Sequence, residues 1–243
     1  MGVDGRRIYR YTTPMSEPPS SEIFGEEAPA AGPGLERMID LSNDVFGFSL
    51  TLLAVSIGVP AIPATLAAGE LGAAITALWP RVAVFVLSFI AVSFYWTSHQ
   101  RIYRYIRRYD TRLLWLNQFF LLFIAFMPIP SAILGLYPLE RPAIIFFAGF
   151  LALTGLLCFG IWLYATTGRR LVAPDLSSRV VHYMLLRFVV TTAVYVLTIG
   201  LSFIAPMLAI ATWVLLVALQ VFPIPLFNRL LVWTERKLFT GRR

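Results

Sequence analysis

Few side chains in this sequence can carry chemistry, and their placement decides which chemistry is open to it. The imidazoles are His99 and His182, and the one thiol is Cys158. A hydrolase or intramembrane protease needs a nucleophile beside a base, or metal ligands clustered inside the fold. Both histidines fall at the ends of apolar runs, and a lone cysteine builds neither a disulfide framework nor a thiolate metal site. The sequence therefore leads us to expect no catalytic residue, no metal site and no cofactor. The ionisable groups that stand out are Arg37, Asp40 and Asp44, at the head of ERMIDLSNDVFGFSLTLLAVSIGVP, residues 36–60. Arg37 to Asp40 is an i,i+3 step and Arg37 to Asp44 is seven residues, so all three share one face of a helix. From Val45 to Val59 nothing ionises. Phe48, Leu52 and Val55 recur there at i, i+4 and i+7, with the hydroxyls of Thr51 and Ser56 at the same depth. If several copies of such a helix surround an axis, the apolar side chains stack as rings that gate by dewetting. Ordinary packing uses the same spacing, so periodicity alone leaves both readings open.

The elements that would hold these residues are membrane spans. Hydrophobic residues make up 58% of the chain and charged residues 14%, against about 45–50% and about 25% in soluble domains. A helix rises about 1.5 Å per residue into a hydrocarbon core about 30 Å thick, so a span takes about 20 residues. An all-α fold of six transmembrane helices is expected. After the first, which Pro60 and Pro63 end, the spans fall at about 82–103, 113–136, 142–166, 183–204 and 207–227. Residues 61–79 form a small-residue connection with room for a short surface helix. Pro128 and Pro130 near the end of the third span require neighbouring helices to satisfy freed carbonyls. Gly149, Gly155 and Gly160 in the fourth allow close packing. Residues 1–35 read as a disordered tail, 36–228 as the membrane domain and 229–243 as a basic tail.

The net charge of +7 follows topology and calls for no nucleic acid. With six spans, the N-terminal arm, the 101–112 turn, the 169–179 turn and the C-terminal tail share one side. They hold 17 of the 20 basic residues, while Arg81 and Arg141 face the other side and Arg187 lies inside the fifth helix. By the positive-inside rule both termini are cytoplasmic, in a multi-pass protein of the cell membrane. No carboxylate lies near a helix centre and no paired broken helices appear, against a proton-coupled transporter. No TVGYG-type carbonyl filter is present either.

Three stretches in order carry a resemblance. Arg37-Met-Ile-Asp-Leu41-Ser42-Asn43-Asp44 with the run to Thr51 resembles the RxxxFSD signature and first helix of the transmembrane protein 175 family of potassium channels. YWTSHQRIYR at 95–104 is similar to that family's second-helix ending, and LLWLNQFFLLFIAFMPIPSAILGLY at 113–137 to its third helix. The resemblance implies a homotetramer of six-helix protomers around a central, potassium-permeable pore lined by the first helix. It implies that Phe48, Leu52 and Val55 form the constriction and that Thr51 contributes to selectivity. It also implies a polar network of Arg37, Ser42 and His99, to which Asn43 and Asp44 belong by position. Where the family has Phe-Ser-Asp, this chain has Leu41-Ser42-Asn43 with the acid one residue later at Asp44, a turn of about 100° on the helix.

Apart from the resemblance, which favours the network, Arg37 also suits a snorkelling anchor at the membrane border. Trp96 and Trp115 suit either an interfacial belt or packing behind the network. A non-conducting scaffold, or a proton channel using His99 and Asp44, remains the alternative to a potassium channel.

Overall fold

Proline opens the helices of this chain. Pro33, Pro80, Pro128, Pro142 and Pro206 all stand in first turns, where the missing N–H would have no intrahelical partner and the fixed φ is already helical. The computed structural model describes residues 33–58 and 68–221, with side chains described for 33–58 and 71–216. In order they form α1 (Pro33–Ser56), α2 (Ala68–Thr76), α3 (Trp79–Tyr105), α4 (Thr111–Phe126), α5 (Pro128–Leu136), α6 (Arg141–Thr166), a 3-10 turn (Thr167–Arg169), α7 (Ser178–Ile204) and α8 (Pro206–Val221). Among the described residues, five stretches are long and apolar enough to cross a membrane: Pro33–Ser56, Leu71–Tyr105, Thr111–Leu136, Arg141–Arg169 and Ser178–Ile204. The shorter apolar α8 follows them. The chain is an all-α, multi-pass membrane protein. The tails expected at 1–35 and 229–243 lie largely or wholly outside the described residues, as do Pro60, Pro63 and the last turns of the sixth span.

The third span is two helices, because Pro128 interrupts it. α4 ends at Phe126 and α5 begins at Pro128. Pro128 has no amide to give the carbonyl of Ile124. That carbonyl accepts instead from the Met127 amide at 3.2 Å and from the Ser49 hydroxyl of α1 at 2.6 Å. A neighbouring helix thus supplies the donor that the proline removes. Ser131 of α5 donates to the Met127 carbonyl at 2.9 Å and also contacts the Ser88 hydroxyl of α3 at 2.8 Å.

α6 is the central rod, touching α3, α4, α5, α7 and α8. Its tightest approach is at Gly155, where an added Cβ would come within 2.6 Å of Thr192 Oγ1. Gly149 and Gly160 face open space instead, so of the three glycines only Gly155 serves close packing. α1 lies at an edge, packed mainly on α3, α4 and α5.

At one end of the bundle the two arginine-rich turns are joined. Ile106 and Val172 form an antiparallel bridge, and the Arg107 and Arg108 amides donate to the Leu171 carbonyl at 2.8 and 3.2 Å. Asp110 caps α4 by accepting the Leu113 amide at 2.8 Å. Its other oxygen accepts from the Tyr164 hydroxyl and lies 3.9 Å from Arg170. At the opposite end α1 closes on Gly58, whose φ of +64° lies in the left-handed region that favours glycine.

Candidate ion-conducting helix

Two faces of α1 do different things. One carries Leu35, Met38, Ser42, Phe46, Ser49 and Leu53, all buried, at the three- and four-residue steps of a helix face. The other carries Arg37, Asp40, Leu41, Asp44, Phe48, Thr51, Leu52 and Val55, all exposed in the single chain. Phe48 is 72% exposed, Leu52 47% and Val55 73%, whereas Phe46 is 1% and Leu53 0%. The three residues expected at a constriction therefore share an uncovered stripe and take no part in the protomer's core.

Behind that stripe, a polar chain ties α1 to α3 and α4. Ser42 donates its hydroxyl hydrogen to the Met38 carbonyl at 2.7 Å. Its oxygen is left to accept from Asn117 Nδ2 at 3.1 Å. Asn117 Oδ1 accepts from the Tyr103 hydroxyl at 3.0 Å and pairs with His99 Nε2 at 2.9 Å. Because an amide oxygen only accepts, His99 must carry its proton on Nε2. Ser42 and Asn117 are 0% exposed and His99 1%. Aromatic rings enclose the imidazole, with Tyr103 stacked at 4.2 Å, Phe120 stacked at 5.7 Å and Phe46 edge-on at 5.7 Å. Every hydrogen bond in this chain has one donor and one acceptor, which fixes the rotation of α1 against its neighbours.

Asn43, next along the helix, makes a second tie. Its Oδ1 accepts from Trp96 Nε1 at 3.0 Å and from Gln100 Nε2, both on α3. Trp96 is thus a hydrogen-bonding partner of α1, while Trp115 is exposed and packs on Phe119 at 6.3 Å.

Of the five residues expected in the polar network, the structure joins Ser42 to His99 through Asn117 and anchors Asn43 separately on α3. Arg37 and Asp44 are exposed and make no hydrogen bond or ion pair within the described residues. Sequence reasoning missed the linking roles of Asn117, Tyr103 and Gln100. The available signal was Asn117 itself, which with Gln118 interrupts a mostly apolar helix. Among the described residues no group of three His, Cys, Asp or Glu side chains gathers to hold a metal ion.

The hydroxyls on the uncovered side are tied to their own helix. Thr51 donates to the Phe48 carbonyl at 2.8 Å and Ser56 to the Leu53 carbonyl at 2.7 Å. The Thr51 oxygen keeps acceptor capacity on the exposed face. At the far end of α1, Arg81 reaches the Ile57 carbonyl at 3.4 Å.

A family described as "Endosomal/lysosomal potassium channel TMEM175" matches residues 37–128, the segment that holds α1, its polar partners and the Pro128 break. A potassium channel of Streptomyces collinus is 30% identical over 179 residues, covering 72% of this chain and 85% of the relative. A potassium channel of Chamaesiphon minutus is 28% identical over 177 residues, covering 72% and 87%. The crystal structure of a lysosomal potassium-selective channel TMEM175 homolog from Chamaesiphon minutus shares the fold. Its TM-score is 0.69 at 24% identity, over 78% of this chain and 97% of that one. The polar lock, the broken third span and the two-faced first helix thus lie in a sequence frame shared over most of the length of these relatives, and the chain belongs to the TMEM175 family, a family of potassium channels rather than enzymes.

Proposed function

We propose that this chain is a potassium-permeable channel in which several copies, four on the expected homotetrameric assembly, bring α1 together around a shared axis. The observation that carries this reading is the uncovered stripe of α1, charged at its head and apolar beyond Phe48. The names of the relatives as potassium channels support the choice of ion. In this reading Phe48, Leu52 and Val55 form stacked rings, and water leaves so narrow an apolar passage unless it widens. Asp40 and Asp44, exposed on the same face and without an ion pair among the described residues, concentrate cations at the entrance. The Thr51 oxygen, its hydrogen already engaged by Phe48, offers lone pairs to an ion that has shed part of its hydration shell. The lock of Ser42, Asn117 and His99, with the Asn43 tie, holds the rotation of α1 that keeps these groups toward the axis.

The membrane orientation follows the charges. The joined turns bearing Arg104, Arg107, Arg108, Arg112, Arg169, Arg170 and Arg179 mark the cytoplasmic end, with both chain termini on that side. Residues 1–35 and 229–243 are then cytoplasmic tails flanking the channel domain of 36–228.

Potassium flux into proteoliposomes, compared with sodium flux and with decay of an imposed pH gradient, tests the function. Potassium uptake exceeding both is expected, with higher leak from Leu52→Ala or Phe48→Ala. No flux would make the protein a scaffold, and pH decay without potassium uptake would make it a proton channel.

A further inference from the structure

At the arginine-rich end, away from α1, the chain folds a small basic cavity that the conduction pathway does not use. It measures about 140 Å³ and lies between the end of α6, the following turn and the start of α7, lined by Thr166, Arg169, Val172, Leu176, Ser178 and His182 among others. That volume is well below the roughly 300–1,000 Å³ of pockets for ordinary organic ligands, and suits a single headgroup. Arg169 is held at its edge in the left-handed region, with φ of +55° directly after Gly168 at +61°. Its guanidinium reaches the Pro174 carbonyl and, at 3.4 Å, the Ser178 hydroxyl. A guanidinium has five N–H donors, so others remain for a ligand. His182 donates Nδ1–H to the Ser178 carbonyl at 2.7 Å, which sets the ring beside the same cavity. Arg179 adds exposed positive charge nearby, while Arg170 lies 3.9 Å from Asp110. Asp175 is the one acid between residues 167 and 187. Among the described residues it makes no ion pair, and no carboxylate lines the cavity.

We infer that this cavity is a binding site for a phosphate-bearing anion, with Arg169 and Ser178 as its recognising groups. Val172 and Leu176 give the site an apolar wall, and it lies at the arginine-rich end of the bundle. The headgroup of an anionic phospholipid meets both features, since basic pockets between helices on the cytoplasmic side take such headgroups. Because the cavity is built from the α6–α7 turn, and that turn is bridged to the α3–α4 turn through Ile106 and Val172, a ligand there would clamp the two halves of the bundle. The inference does not depend on conduction.

The test uses the purified full-length protein in detergent, where no charged bilayer surface contributes. Phosphatidylglycerol or phosphatidylcholine is added after delipidation, and retained lipid is counted by native mass spectrometry beside melting temperatures. The expected result is preferential retention of phosphatidylglycerol with a raised melting temperature. Arg169→Gln should lower that preference about fivefold, the scale of one basic residue at an anionic surface. Ser178→Ala should lower it as well, and it carries the test if the Arg169 variant does not fold. Arg107→Gln, outside the cavity, should leave the preference unchanged. Stabilisation by inorganic phosphate that is lost in the same variants, without any lipid preference, would uphold the site and assign it to a soluble phosphate ligand. Equal retention of the two lipids with no effect of inorganic phosphate would overturn it. So would an equal loss in Arg107→Gln and Arg169→Gln.

Discussion

Asn117 is the single residue whose removal would undo most of the lock behind α1. Its amide group serves Ser42, Tyr103 and His99 at once, and all four side chains are buried. Replacing it by Ala leaves the buried Tyr103 hydroxyl and His99 Nε2–H without their acceptor, at a cost of about 1–3 kcal/mol for each group left unpaired. Thermal melting of the purified protein should show this as a clear drop, and a melting point equal to wild type would mean that the lock adds nothing to stability. Asn43 and Asp44 separate in the same assay. Asn43→Ala removes the partner of Trp96 and Gln100 and should destabilise. Asp44→Ala should leave melting unchanged within about 0.5 kcal/mol, as usual for an exposed side chain, and show itself in cation flux instead. Arg37→Ala is expected to act through the assembly, since Arg37 has no hydrogen-bond or ion-pair partner among the described residues. At this scale the sequence was partly legible. The family resemblance pointed to Ser42 and His99, yet their link is an amide 75 residues from Ser42, and local spacing carries no information about contacts at that range.

Helix by helix, the spans were the most readable feature, because long apolar runs and charge at their ends are local properties of the chain. Arg141–Thr166 and Ser178–Ile204 match the expected fourth and fifth spans within a few residues. The break at Pro128 was foreseeable as a need for a donor, but not which residue would supply it. Ser49 looks like any small residue in an apolar helix, and its role depends on where α4 falls against α1. A double-mutant cycle tests it. Ser49→Ala should cost about 0.6–1.7 kcal/mol, the range for hydrogen bonds between membrane helices. In a Pro128→Ala background it should cost less, because the residue-128 amide can then bond the Ile124 carbonyl. Additive costs would show that Ser49 and Pro128 act independently. Of the three glycines of α6, only Gly155 meets a neighbour closely. Gly155→Ala should therefore lower the melting temperature, whereas Gly149→Ala and Gly160→Ala should preserve it or raise it through better helix propensity.

For the whole molecule, the arrangement is asymmetric in a way that a lone protomer does not use. α6 is enclosed on many sides, while α1 stands at an edge with a polar lock on one face and Phe48, Leu52 and Val55 uncovered on the other. A face held so firmly in rotation, yet uncovered in the single chain, is what a helix needs to line an axis shared with other copies. Lipid would also accept apolar side chains there, and accessibility to water separates the two. The most direct measurement is potassium flux through Leu52→Cys in a Cys158→Ser background, before and after a water-borne, membrane-impermeant thiol reagent. A pore lined by α1 predicts that the reagent blocks flux, and that mild oxidation links copies of the chain through position 52. Flux untouched by the reagent, with position 52 labelled only by a lipid-soluble thiol probe, would contradict it.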